Sequence, residues 1–219
     1  VVLNRLGVNS KNKPDLKDWN LFLNKLKNPK KSVKVGLIGK YVELKDSYKS
    51  ILESLIHAGA VNETNVEVIT IHSEHLNKNN ISDKLKLLNG LIVAPGFGQR
   101  GVEGKIEAIK YSREKKVPFF GICLGMQMAV IEYARNKLKF SKANSTEMDS
   151  KCDFPVIDLM ESQKKIKSKG GTMRLGAWSC KLLNGSRVKE IYKNEIISER
   201  HRHRYEFNNI FTDKIFNDE

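Results

Sequence analysis

The most constraining stretch of this sequence is Lys116-Val117-Pro118-Phe119-Phe120-Gly121-Ile122-Cys123-Leu124-Gly125-Met126-Gln127. The apolar run Val117–Ile122 reads as a buried strand, and Met126–Leu138 reads as a helix. Between them stands Gly121-Ile122-Cys123-Leu124-Gly125, of the form Gly-x-nucleophile-x-Gly. A reactive side chain between strand and helix sits on a strained turn; flanking glycines permit tight packing, and the side chain points out of the sheet. The dipole of the following helix is expected to favour a thiolate at its start. A free cysteine is usually a small buried apolar residue. Here the glycine spacing and the strand-to-helix setting make Cys123 a candidate nucleophile instead.

The surrounding pattern is alternating strand and helix. Val33–Ile38, Val66–Ile71 and Leu91–Val93 read as strands, Asp46–His57 and Val102–Lys115 as helices, the first begun by Asp46 or Ser47. Such alternation predicts an α/β fold, a mostly parallel sheet with helices on both faces. Sites on such sheets lie at the carboxyl ends of the strands, where Cys123 falls. Asn144–Gly171 reads as irregular, with room for an insertion, and Thr172–Leu183 and Glu190–Glu199 read as a β-rich addition. Near the start, Pro14 and Pro29 bracket Leu16, Trp19, Leu23 and Leu26 at helical spacing. Residues 1–31 are therefore expected to be an interdomain linker with one amphipathic helix, and residues 32–219 a single domain.

Composition narrows the partners. With 219 residues, 40% hydrophobic and 29% charged, the chain can build one sizeable soluble core. No apolar run approaches the ~18 residues of a membrane helix and no signal peptide opens the sequence, so a cytoplasmic protein without a membrane partner is expected. Cys123, Cys152 and Cys180 form neither a disulfide framework nor a zinc pattern, and no metal site is expected. The formal charge of +14 raises the question of nucleic acid. The lysines, however, are scattered through Asn-rich stretches such as Leu76–Leu88 without interleaved aromatics, which predicts a solvated face and no nucleic-acid partner.

Three further motifs bear on chemistry. Pro95–Gly101 contains G-x-G-x-x-G after a strand and before a helix, which invites a dinucleotide site. It follows the third strand, and the next strand ends in Cys123 with no acidic residue for a ribose, so an amide-lined turn facing Cys123 is the better role. Gly36-Leu37-Ile38-Gly39-Lys40-Tyr41 lacks the glycine spacing and the Ser/Thr of a P-loop. Arg200-His201-Arg202-His203-Arg204-Tyr205-Glu206 suits carboxylate or phosphate recognition, since guanidinium groups bind both in bidentate fashion. It also reads as an exposed charged strand, or as a source of a base (His201 or His203) with Glu206 orienting it.

Pro118–Gln127 resembles the nucleophile motif of the class I glutamine amidotransferases. Within that family Gly39–Ser50, Arg100–Ile106, Ala143–Glu147, Gly170–Gly176 and Glu199–Asn209 are similar to the signatures of the branch that aminates UTP to CTP. The resemblance runs from about Ser32 to Asn209 and implies a flavodoxin-like glutaminase domain. It implies L-glutamine hydrolysis through a thioester at Cys123, with Gly96 and Leu124 as backbone donors to the oxyanion. Gln127, Glu147 and Arg204 would hold the substrate's amino and carboxylate ends, with Tyr205 beside them. Arg100 and Gly101 fall in the loop that responds to GTP, an allosteric activator. Ammonia would pass to a synthetase domain of the same polypeptide, where ATP and magnesium serve; the glutaminase domain itself needs no cofactor. Full-length family members are tetramers.

Two departures stand out. Pro95 replaces the first of two consecutive glycines, so only Gly96 can donate there. The family's general base and its orienting acid come from a His-Pro-Glu motif beyond the arginine-rich stretch, and no His-x-Glu occurs in the last residues here. That closing segment is expected to lie outside these residues, and His201 and His203 belong to a different motif. The alternative is a catalytically silent regulatory or assembly module of the same fold.

Overall fold

The computed structural model describes residues 2–8, 14–164 and 173–216. Strands β1 (Lys31–Gly39), β2 (Thr64–His72), β3 (Gly90–Val93) and β4 (Phe119–Gly121) form a parallel sheet in the order β2-β1-β3-β4. Its register aligns Leu37 with Thr70 and Ile92, and Ile38 with Ile71 and Val93. Because successive strand residues point to opposite faces, these two rows feed two separate cores. Ile38, Leu91 and Val93 pack with Ile106, Ile109, Met128 and Ile131 of the Val102–Lys115 and Leu124–Asn136 helices. Leu37 and Ala94 pack on the other face with Tyr48, the N-cap of the Lys49–Val61 helix, and with Ile51 and Leu52 of its first turn. Helices thus cover both faces, as the alternation predicts.

Several boundaries differ from expectation. The run Val117–Ile122 is not a buried strand: β4 is short and lies at the sheet edge, leaving Phe119 36% and Phe120 63% exposed. The helix after β1 starts at Lys49, with Tyr48 at its N-cap and neither Asp46 nor Ser47 capping it. A 3-10 turn, Lys45–Tyr48, precedes it. The Tyr48 hydroxyl accepts the N–H groups of Lys40 (3.0 Å) and Tyr41 (3.2 Å), and a Cβ at Gly39 would lie 2.3 Å from that oxygen. Tyr48 is therefore drawn under the end of β1, and the helix starts after it.

The stretch expected to be irregular contains two strands, β5 (Ala143–Ser145) and β6 (Phe154–Leu159), paired in parallel. Val156 and Ile157 are both fully buried, so β6 shows none of the alternation that betrays a half-buried strand. Residues 165–171, where an insertion was expected, and Gly170–Thr172 of the family motif lie outside the described residues. Next, β7 (Arg174–Lys181) and β8 (Ile196–His203) form an antiparallel ribbon. Glu190–Tyr192, expected in a strand, belongs to a short helix, Arg187–Tyr192, capped by the Ser186 hydroxyl accepting from Lys189 N–H. After Arg204, β9 (Tyr205–Phe207) leaves the ribbon and pairs antiparallel with β6. The upstream helix covers Lys17–Lys27, and its Phe22 meets His57 edge-on at 5.7 Å.

Candidate active site

Cys123 stands between β4 and the Leu124–Asn136 helix at φ 53°, ψ −109°, a conformation side chains rarely adopt. Ile122 N–H donates to Val93 O (3.0 Å) and Gly125 N–H to Ile122 O (2.9 Å), closing the turn. A Cβ at Gly121 would lie 2.6 Å from the Gly125 carbonyl carbon, and one at Gly125 would lie 2.1 Å from Val93 O. Both glycines are therefore steric requirements of the elbow.

The elbow opens into a cleft of about 300 Å³. Six residues expected at the site line it: Gly96, Cys123, Gln127, Glu147, Arg204 and Tyr205. They come from the loop after β3, the elbow, the first turn of the following helix, the turn after β5 and the crossover between β8 and β9. Gln127 Nε2 donates to Tyr205 O at 3.0 Å, tying that helix to the crossover. Met160 N–H donates to Arg204 O (3.2 Å), and the Arg204 guanidinium donates to the Gln163 side chain. Glu147 Oε1 accepts from Gly98 N–H at 2.9 Å.

Leu124 is buried beneath the cleft, and a Cβ on Gly96 would sit 3.5 Å from its Cδ2. Its N–H favours the thiolate form of Cys123. Among the described residues the Gly96 N–H meets no acceptor. Gly96 and Cys123 line the same cleft.

The charge state of that sulfur differs from expectation. Burial pushes the Cys123 thiol above its ordinary value, and this outweighs the Leu124 N–H and the Lys105 ammonium, which favour the thiolate; the Glu147 carboxylate adds to the rise. The helix start alone does not ionise the cysteine.

Arg100 and Gly101 stand outside the cleft. Arg100 Nη1 pairs with Glu74 Oε1 at 2.5 Å, and its guanidinium lies 5.3 Å from the Tyr41 ring centroid. Gly101, at φ 70°, is the N-cap of the Val102–Lys115 helix, and a Cβ there would meet Ser73 Oγ at 2.2 Å.

Phe97, Met173 and His203 also line the cleft. His203 Nδ1 donates to Tyr205 O (2.9 Å), because a carbonyl can only accept, and its Nε2 faces His201 Nδ1 at 2.9 Å. Both ring nitrogens are engaged, and burial holds its pKa below the usual imidazole value. Sequence reasoning missed Lys40 and Lys105, which are buried rather than solvated. Lys40 Nζ donates to the carbonyls of Phe97 and Gly98, and Lys105 Nζ to that of Ala94. The signal for Lys105 was its place on the Val102, Ile106, Ile109 stripe. Among the described residues no cluster of three or more His, Cys, Asp or Glu is set to hold a metal, and no helix is long and apolar enough to cross a membrane.

Comparison with known proteins agrees with this arrangement. Residues 43–218 match the family described as glutamine amidotransferase class-I. The chain is 60% identical to the CTP synthase of Flavobacterium johnsoniae over 215 residues, 98% of this chain and 40% of that protein. It is 61% identical to the CTP synthase of Flavobacterium psychrophilum over the same share of each. It therefore spans about 40% of the length of these relatives. A solved Trypanosoma brucei CTPS glutaminase domain with bound acivicin superposes with a TM-score of 0.76 at 34% identity, covering 84% of this chain and 72% of that one. The chain belongs to the class I glutamine amidotransferases, as a glutaminase domain of the CTP synthase type.

Proposed function

We propose that the chain hydrolyses L-glutamine through a thioester on Cys123 and supplies the ammonia for ATP-dependent amination of UTP to CTP. The observation that carries this reading is the meeting of the Cys123 elbow with Glu147 and Arg204 in one cleft. A carboxylate and a guanidinium complement the ammonium and carboxylate of an amino acid, and the sulfur lies where its side chain would reach. In the first step Cys123 Sγ, having lost its proton to a base, bonds to the side-chain amide carbon, and the carbonyl π pair moves onto oxygen. The reading gives the Gly96 and Leu124 N–H groups the task of receiving that oxyanion. The pair then returns, the C–N bond breaks, and the nitrogen takes the proton from the base and departs as ammonia. Water adds to the thioester carbon, and collapse releases glutamate and the thiol.

His203 is poorly suited to be that base, since both its nitrogens are engaged; the reading assigns the base to the family's His-Pro-Glu segment, outside these residues. UTP amination, driven by ATP with magnesium, is assigned to a synthetase domain of the same polypeptide, to which residues 1–31 would connect. The reading gives the Arg100–Gly101 loop the response to GTP. This fits its position: it follows directly on the Phe97 and Gly98 carbonyls that Lys40 holds.

The test is covalent labelling with a diazoketone analogue of glutamine, read peptide by peptide by mass spectrometry. Label is expected on Cys123 and on neither Cys152 nor Cys180, with glutamine protecting and Cys123→Ala abolishing it. Label retained by the alanine variant, or no protection, would overturn the reading.

A further inference from the structure

Arg204 is held at both its backbone and its guanidinium by one turn. Its carbonyl accepts from Met160 N–H at 3.2 Å, just past the end of β6, and its Nη1 donates to Gln163 Oε1 at 2.5 Å. Gln163 lies in the short Glu161–Lys164 helix, and its own N–H donates to Met160 O at 2.7 Å, closing that turn. Gln163 is buried, whereas Arg204 lines the cleft and Gln163 does not. A buried amide is costly unless it is hydrogen-bonded, and here it meets a residue of the site from behind. An amide oxygen accepts without carrying charge, so this contact fixes the guanidinium and leaves its positive charge uncancelled. The same segment braces the other charged residue of the cleft. Asp158, two residues before Met160, accepts from the Thr146 hydroxyl at 2.6 Å and lies 3.6 Å from Lys164 Nζ, and Thr146 directly precedes Glu147.

We propose that Gln163 is a positioning residue for Arg204: its buried amide oxygen aims the guanidinium at the α-carboxylate of L-glutamine and leaves the charge for that carboxylate to meet. A bidentate guanidinium–carboxylate pair depends on the plane of the fork, so orientation decides how much of the interaction is realised. A long arginine side chain also loses rotamer freedom when it grips a ligand, and one already fixed by Gln163 loses less. The α-carboxylate is not altered by the reaction, so what it gains from Arg204 is gained equally before and during the chemical step. The effect of Gln163 therefore falls on substrate binding and not on the reactivity of Cys123. A carboxylate at position 163 would keep the shape but compensate the guanidinium, and would weaken the grip by a different route. The inference rests on the glutaminase reading and adds to it a residue that sets how tightly the carboxylate end is held.

The experiment compares two reagents for Cys123 in the intact protein. The diazoketone analogue of glutamine carries the α-ammonium and α-carboxylate; iodoacetamide carries neither and reports the sulfur alone. Gln163→Met keeps the length and removes the acceptor, and Gln163→Glu keeps the shape and adds a charge, so one remains informative if the other folds poorly. Both should raise the diazoketone concentration for half-maximal labelling by roughly three- to tenfold, the worth of one hydrogen bond. The limiting labelling rate and the iodoacetamide rate should stay at the wild-type value. A merely structural glutamine would lower all three together, and that result, or an unmoved half-saturation, would overturn the proposal. Labelling of the wild type separates the two failures. Its absence sinks the glutaminase reading, whereas its presence with an unmoved half-saturation in the variants sinks only the role of Gln163.

Discussion

Glu147 Oε1 accepts a 2.9 Å hydrogen bond from Gly98 N–H, so one carboxylate lines the cleft and also braces the loop that carries Gly96. These two duties are separable. Glu147→Gln keeps an acceptor for Gly98 but removes the charge that would face a substrate ammonium. A hydrogen bond to a charged group is worth about 1.5–3 kcal/mol, so the glutamine KM should rise by roughly 10- to 150-fold with little change in kcat. Glu147→Ala also frees Gly98, and there kcat should fall as well, because the Gly96 N–H is no longer held beside the sulfur. Steady-state ammonia release measures both. Equal effects from Gln and Ala would show that the charge alone matters.

The nucleophile is held against its own backbone preference. At φ 53°, ψ −109°, Cys123 occupies the mirror image of an extended conformation, which glycine adopts freely and other residues at a cost of about 1–3 kcal/mol. Cys123→Ala keeps the Cβ and the strain; Cys123→Gly relieves it, less about 0.5–1 kcal/mol for glycine's extra freedom when unfolded. The inactive glycine variant should therefore be more stable than the alanine variant by about 1 kcal/mol, read from urea unfolding midpoints. Alanine matching or exceeding glycine would mean that the elbow stores no strain.

The elbow was legible because its constraints are local. Gly121 and Gly125 are dictated by contacts within a few residues and with the neighbouring strand, so their spacing carries the geometry. The Val102–Lys115 helix, with a glycine at its N-cap, also has the expected bounds. What stayed hidden depends on partners distant in sequence. β4 reads as buried from its own residues, and only the strand order makes it an edge. β6 is buried on both sides and so loses its period. The helix start shifted to Lys49 because Tyr48 is recruited by the end of β1, eight residues before it. Lys40 looks like any other lysine in so basic a chain, and Lys105 differs only in sharing the Val102, Ile106, Ile109 stripe. Their acceptors, the carbonyls of Phe97, Gly98 and Ala94, are marked by no sequence pattern. The same holds for the thiol: the helix start was visible, but the burial that outweighs it was not.

Lys105 ties the site to the pH dependence of folding. Burial lowers its pKa from 10.5 to about 7, with Lys40 adding to the fall and Cys123 opposing it. The native state therefore binds fewer protons than the unfolded chain between about pH 7 and 10.5. Stability from this group rises with pH through that window, and below it the full penalty for charging the amine remains. The slope is at most about 1.4 kcal/mol per pH unit. Lys105→Met removes the penalty and loses one hydrogen bond to Ala94, a pH-independent loss of about 1 kcal/mol. The methionine variant should thus exceed wild type most at neutral pH and below, with the advantage shrinking and then reversing towards pH 10.5. Urea unfolding of both proteins in steps from pH 6 to 10.5 measures the difference and cancels the groups they share. A difference that stays flat across the window would place the ammonium in contact with water.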